Sequence, residues 1–139
     1  GNKMTKGKTM ELFHDIEALF EEWNKALQSG DSRQITDLYA VNAVLLPTLS
    51  NRVRVGHAEI QDYFRSFLAK QPSGARVEKS HIRVYGDIAV NSGTYVFEFS
   101  PAGEQAHSLR ARFTFVYHWC GDCWLIVEHH SSVMPEEDR

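Results

Sequence analysis

From about residue 75 to residue 132 the apolar side chains recur at every second position, interrupted by two Gly-Asp pairs and one longer loop. A period of two belongs to extended strands with one buried face. The sequence therefore predicts four consecutive strands, over 76–85, 88–99, 107–119 and 124–132. Gly86-Asp87 and Gly121-Asp122 are pairs that tight hairpins favour, and 100–106 forms the longer connection.

Ahead of this meander the period is three to four. Phe13, Ile16, Leu19, Phe20, Trp23 and Leu27 mark one face of an amphipathic helix over 9–28, with Thr9 as its N-cap and Ser29-Gly30 ending it. Asp31 or Ser32 caps a second, shorter helix carrying Ile35, Leu38 and Tyr39. Short strands over 43–46 and 53–55 follow. A third helix over 57–70 presents Ile60, Phe64 (or Tyr63), Phe67 and Leu68 to its buried side. Helices in one block and antiparallel strands in another predict an α+β fold, with the helices packed on one face of a curved sheet. Residues 1–8 read as a frayed or tag-derived start, and 9–136 as one domain.

The chain has 139 residues, enough for one domain with a substantial core. A net charge of −3 without a basic stripe gives no footing for nucleic acid. No apolar run approaches the roughly 18 residues of a membrane span, and no secretory segment stands out, so the expected location is cytoplasmic. Neither a phosphate-binding Gly-rich loop, nor G-x-S-x-G, nor H-E-x-x-H occurs, and no cofactor is implied.

Cys120 and Cys123 flank Gly121-Asp122. A tetrahedral zinc site takes four ligands. The nearest histidines, His129 and His130, lie about 20 Å along an extended strand, so no metal site is expected. A thioredoxin-type role needs the first cysteine at a helix N-terminus, where this sequence has a hairpin. The pair is read as structurally incidental, with a disulfide across the turn as the alternative.

An undistorted two-residue hairpin at 121–122 pairs Trp119 with Trp124, Tyr117 with Ile126, Phe115 with Glu128, and Phe113 with His130. These side chains share the aromatic face that meets the helices. Glu128 and His130 then lie in apolar surroundings, where burial raises a carboxyl pKa and a Glu-His pair can exchange a proton. They are the candidate catalytic pair, and mutual satisfaction at the sheet's mouth is the structural alternative. Trp23, Tyr39, Tyr95, Phe113, Phe115 and Tyr117 are the accompanying pocket or core residues. The opposite face carries Arg110, Arg112, Thr114, Val116, Val127 and His129, a half-polar composition suited to a subunit interface or a solvated surface.

The helix–helix–strand–strand–helix–meander order resembles the nuclear transport factor 2-like (cystatin-like fold) superfamily. So do three strings: Trp23-Asn-Lys-Ala-Leu-Gln-Ser-Gly-Asp31, Leu38-Tyr-Ala-Val-Asn-Ala-Val-Leu-Leu-Pro47 and Trp124-Leu-Ile-Val-Glu-His-His-Ser-Ser-Val-Met-Pro135. Within it the chain is most similar to the SgcJ/EcaC-type and SnoaL-like proteins, and through them to the association (hub) domain of calcium/calmodulin-dependent protein kinase II. The resemblance implies a strongly bent sheet wrapping the long first helix as a cone, a pocket at its open end, and dimerisation through the outer sheet face. The hub's pocket arginines correspond to Tyr95 and Phe115 here. The carboxylates of the ketosteroid isomerase relatives have no counterpart at Leu45-Leu46-Pro47 or among Phe113, Phe115 and Tyr117. The expectation is a homodimeric protein holding an apolar or mildly polar small molecule in the cone. The alternatives are a cyclase, isomerase or dehydratase using Glu128 and His130, and a hub-like oligomerisation module.

Overall fold

The computed structural model describes residues 6–136. Its elements are α1 (Lys6–Ser29), α2 (Ser32–Thr36), β1 (Tyr39–Leu46), β2 (Arg54–Val55), α3 (Gly56–Leu68), β3 (Pro72–Tyr85), β4 (Ile88–Phe99), β5 (His107–Trp119) and β6 (Trp124–Val133). Helix α1 starts three residues before the expected Thr9. The expectation for residues 1–5 lies outside the described residues.

Ile16, Phe20, Trp23 and Leu27, at steps of four, three and four, are buried along one stripe of α1, whereas Phe13 is exposed. Gly30 ends the helix in the left-handed region at φ 72°, a conformation glycine adopts without a Cβ penalty. Asp31 then caps α2 by accepting the Arg33 N–H at 2.9 Å. Helix α2 stops at Thr36, so Tyr39 opens β1 instead of continuing a helix.

The strands form one open sheet in the order β2-β1-β6-β5-β4-β3. The sheet is mixed. β3 to β6 make the antiparallel meander, while β1 lies parallel to β6. Its inner face meets α1 and α3. Phe20 packs on Tyr95, Phe113 and Phe115, and Phe67 on Phe97 and Phe99. Asn24 on α1 ties helix to sheet, its Oδ1 accepting the Ala75 N–H at 2.8 Å.

Two irregularities shape the meander. Glu78 is an extra residue in β3, between Val77 and Lys79. At this bulge the backbones of β3 and β4 come so close that a Cβ on Gly93 would lie 1.8 Å from the Lys79 carbonyl oxygen. In β6, Val127 is extra: Tyr117 pairs with Ile126, but Val116 pairs with Glu128. A bulge inserts one residue and inverts the inward–outward alternation beyond it.

Candidate functional site

The Val127 bulge decides which side chains enter the cone. Ahead of it the register is the expected one, with Trp119 opposite Trp124 and Tyr117 opposite Ile126. Beyond it, Phe115 faces His129 and Phe113 faces Ser131. Glu128 and His130, expected inside, are exposed and stand opposite Val116 and Thr114 on the outer face. His129, expected outside, is 2% exposed and stacks on Phe115 with ring centroids 4.0 Å apart. The physical reason is desolvation: a regular ladder would bury the Glu128 carboxylate among aromatic rings, and one extra residue turns it out to water.

Trp23, Tyr39, Tyr95, Phe113, Phe115 and Tyr117 all point inward and are buried. Arg110, Arg112, Thr114 and Val116 occupy the outer side, and Val127 is half-buried at the bulge itself. Arg110 pairs with Glu78, its Nε 2.6 Å from Oε1.

Inside, polar groups join in one chain. The Trp23 indole N–H donates to Tyr39 Oη at 3.2 Å. Tyr39 Oη lies 2.8 Å from His129 Nδ1, and Tyr95 Oη lies 3.2 Å from His129 Nε2. The Tyr95 hydroxyl donates to Ser131 Oγ at 2.6 Å, and Thr48 donates to the same oxygen at 2.5 Å. These directions fix the tautomer. Tyr39, having accepted from Trp23, gives its proton to Nδ1, while Tyr95, having given its own to Ser131, accepts from Nε2–H. His129 is therefore neutral and engaged at both nitrogens. Burial, reinforced by neighbouring His130, pushes its pKa down to about 3. Burial likewise lifts the Tyr39, Tyr95 and Tyr117 hydroxyls well above their ordinary value.

This arrangement is ill-suited to acid–base catalysis. A general base near neutral pH needs a free lone pair and a pKa near 7, and His129 has neither. The buried polar side chains among the described residues are Thr36, Arg54, Asn91, His129 and Ser131, with no carboxylate. The space beside the network is bounded by Trp23, Thr48, Tyr63, Tyr95, His129 and Ser131 and measures about 10 Å³. That volume admits about one water molecule, whereas pockets for small organic ligands run to roughly 300–1,000 Å³. Larger hollows open to solvent: one of about 420 Å³ against the inner face of the sheet, between Leu49, Lys70, Phe99 and Leu109, and one of about 320 Å³ beside Thr48, Asn51 and His130. Among the described residues, Cys120, Asp122 and Cys123 at the β5–β6 turn are the side chains placed closely enough to share a metal ion, and all three are exposed.

Thr48, Tyr63 and Ser131 were not among the expected site residues. The available signal was Glu128 itself: a carboxylate at an inward position of an aromatic strand is a reason to expect a bulge and to shift the inward set to His129 and Ser131.

Residues 13–135 match the family model of the calcium/calmodulin dependent protein kinase II association domain. The chain belongs to that family. A Xanthomonas campestris structure, described provisionally as such an association domain, is 41% identical over 88% of this chain and 87% of its own, with a TM-score of 0.84. An NTF2-like protein with a cystatin-like fold from Novosphingobium aromaticivorans shares 16% identity over 94% and 89%, with a TM-score of 0.76. An NTF2-like superfamily protein from Salmonella enterica shares 18% over 94% and 96%, with a TM-score of 0.79. These two carry the fold only. No curated protein matches the chain. Among the described residues, no helix of the chain is long and apolar enough to cross a membrane.

Proposed function

We propose that the protein is a self-associating module in which the outer face of the sheet joins copies of the chain. The observation that carries this reading is the packed centre of the cone: the space of about 10 Å³ beside His129 has no room for a substrate without parting the aromatic rings. Membership of an association-domain family points the same way. The outer face supplies a plausible composition. Val90, Thr94, Thr114, Val116 and Leu125 are half-buried in the single chain, with exposed Arg112, Glu128 and His130 around them. A mixed apolar and charged patch of this kind is what subunit contacts use, with arginine well represented.

Sedimentation velocity tests the reading. The expected result is a discrete dimer or larger closed assembly at micromolar concentration. Val116→Asp, which places a charge at the centre of the face, should yield monomer with an unchanged far-UV spectrum. A wild-type protein that sediments as monomer throughout would remove the proposal.

A small-molecule role finds space in the hollow of about 420 Å³ lined by Leu49, Lys70, Phe99, Glu104, His107 and Leu109, at the Phe99–His107 end of the sheet's inner face. Apolar walls with Lys70, Glu104 and His107 at the rim suit a small molecule with an apolar body and a polar head. Chemical-shift changes at these residues on adding benzoate would support it, and changes confined to other surfaces would not.

A further inference from the structure

The Gly121-Asp122 turn brings two thiols together at the tip of the β5–β6 hairpin. Cys120 Sγ lies 3.1 Å from Cys123 Sγ, and both residues are exposed and unoxidised. The backbone fixes this approach: the Cys120 N–H donates to the Cys123 carbonyl at 2.9 Å, closing the turn, and Trp119 packs on Trp124 immediately behind it at 5.5 Å. Neither thiol is enclosed, so a small reagent reaches both. A metal ion at this tip would have two thiolates and the Asp122 carboxylate as its protein ligands, one short of the four that close a structural zinc site.

The geometry points to a reversible modification site: Cys120 and Cys123 form a disulfide across the hairpin turn by exchange with a small-molecule disulfide of the glutathione type. One protein thiol loses its proton and attacks the external disulfide, forming a mixed disulfide and releasing one small thiolate. The second protein thiol, likewise deprotonated, attacks the protein sulfur of that mixed bond and expels the other small thiolate. Two protein S–H bonds and one external S–S bond are lost, and one protein S–S bond is gained. Two electrons pass to the reagent, and the two protons end on the two small thiols. The adjacent Cys120 thiol, with the nearby Asp122 carboxylate, holds the Cys123 thiol up to about 11. The Cys123 thiol is thus not stabilised as thiolate, unlike the strongly oxidising dithiols whose reduced form is favoured by a low pKa.

The test equilibrates the full chain in glutathione buffers of graded oxidised-to-reduced ratio, followed by acid quench, maleimide labelling and intact-mass measurement. The expected result is loss of both maleimide additions together, with a product two hydrogen masses lighter than the reduced chain and restored by dithiothreitol. Cys120→Ser and Cys123→Ser should each stop at a single glutathione adduct. Retention of two labelled thiols in fully oxidised buffer would overturn the proposal. So would two glutathione adducts on one chain, or a covalent dimer in place of the internal bond.

Discussion

Tyr39 Oη lies 2.8 Å from His129 Nδ1 although 90 residues separate them. The contact joins the first residue of β1 to the bulged strand β6, its parallel neighbour. It also defines how the core tolerates an imidazole. Protonating Nδ1 would leave two donors facing each other and would put a charge among aromatic rings, both unfavourable in a low-dielectric interior.

From this follows a pH dependence with a definite sign. His129 has a folded pKa of about 3 against an unfolded value of 6.5, so between these values the unfolded chain binds the extra proton. The stability His129 contributes is whole above pH 6.5 and drains as pH falls toward 3, with a loss of about 2 kcal/mol by pH 5. Nitrogen-detected NMR should show a neutral ring with the proton on Nε2 and no titration above pH 4. A His129 ring titrating near 6.5 would contradict the hydrogen-bond directions assigned above.

Tyr117 offers the opposite case. Its hydroxyl is buried without a hydrogen-bond partner among the described residues, and its ring stacks on Phe115 at 5.8 Å. Removing an unsatisfied polar atom while keeping the ring costs nothing in packing and ends a desolvation penalty of about 1–3 kcal/mol. Tyr117→Phe should therefore raise the urea midpoint. A fall would mean the hydroxyl has a partner, such as a water in the small space beside Leu38 and Trp124.

Local periodicity carried much of this fold. Strands β4 and β5 run over the residues their alternation marks, and α1 and α3 fall where the three-to-four spacing puts them. Tyr39 escaped because Ile35, Leu38 and Tyr39 also fit a helical period, whereas what recruits Tyr39 to a strand is pairing with Ile126, far along the chain. The inward set of β6 escaped for a related reason. A bulge leaves no mark in a window of a few residues; it is favoured by the whole aromatic core against which Glu128 would otherwise lie. The packing at the centre of the cone was equally out of reach, since it depends on how rings from six elements, α1, β1, α3, β4, β5 and β6, interlock, not on which of them are aromatic.

Gly93 tests the bulge in β3. It sits opposite Ser80 and Phe113 in the ladder, and a Cβ there would meet the Lys79 carbonyl oxygen at 1.8 Å. Backbone cannot yield as a flexible side chain would, so the strands must separate at the bulge. Gly93→Ala should cost about 3 kcal/mol or more, at the upper end of overpacking penalties, read as a lower thermal midpoint. A loss below about 0.5 kcal/mol, the range of an ordinary surface change, would show that β3 does not approach β4 this closely.

Asn24 is the remaining hinge of the design, because it couples the helix inside the cone to the sheet's far edge. Its Oδ1 accepts the N–H of Ala75, a residue only 6% exposed. The Ala75 amide lies in β3 next to the irregular pairing at Pro72/Gly74, where the ladder to β4 is interrupted. Asn24→Ala would strand that amide, at about 1–3 kcal/mol, and should speed hydrogen exchange at Ala75 selectively. Asn24→Asp retains an acceptor in the same place and should restore the slow exchange. If both variants exchange alike, the amide is satisfied by something other than the residue 24 side chain, and the tie between α1 and β3 rests on packing alone.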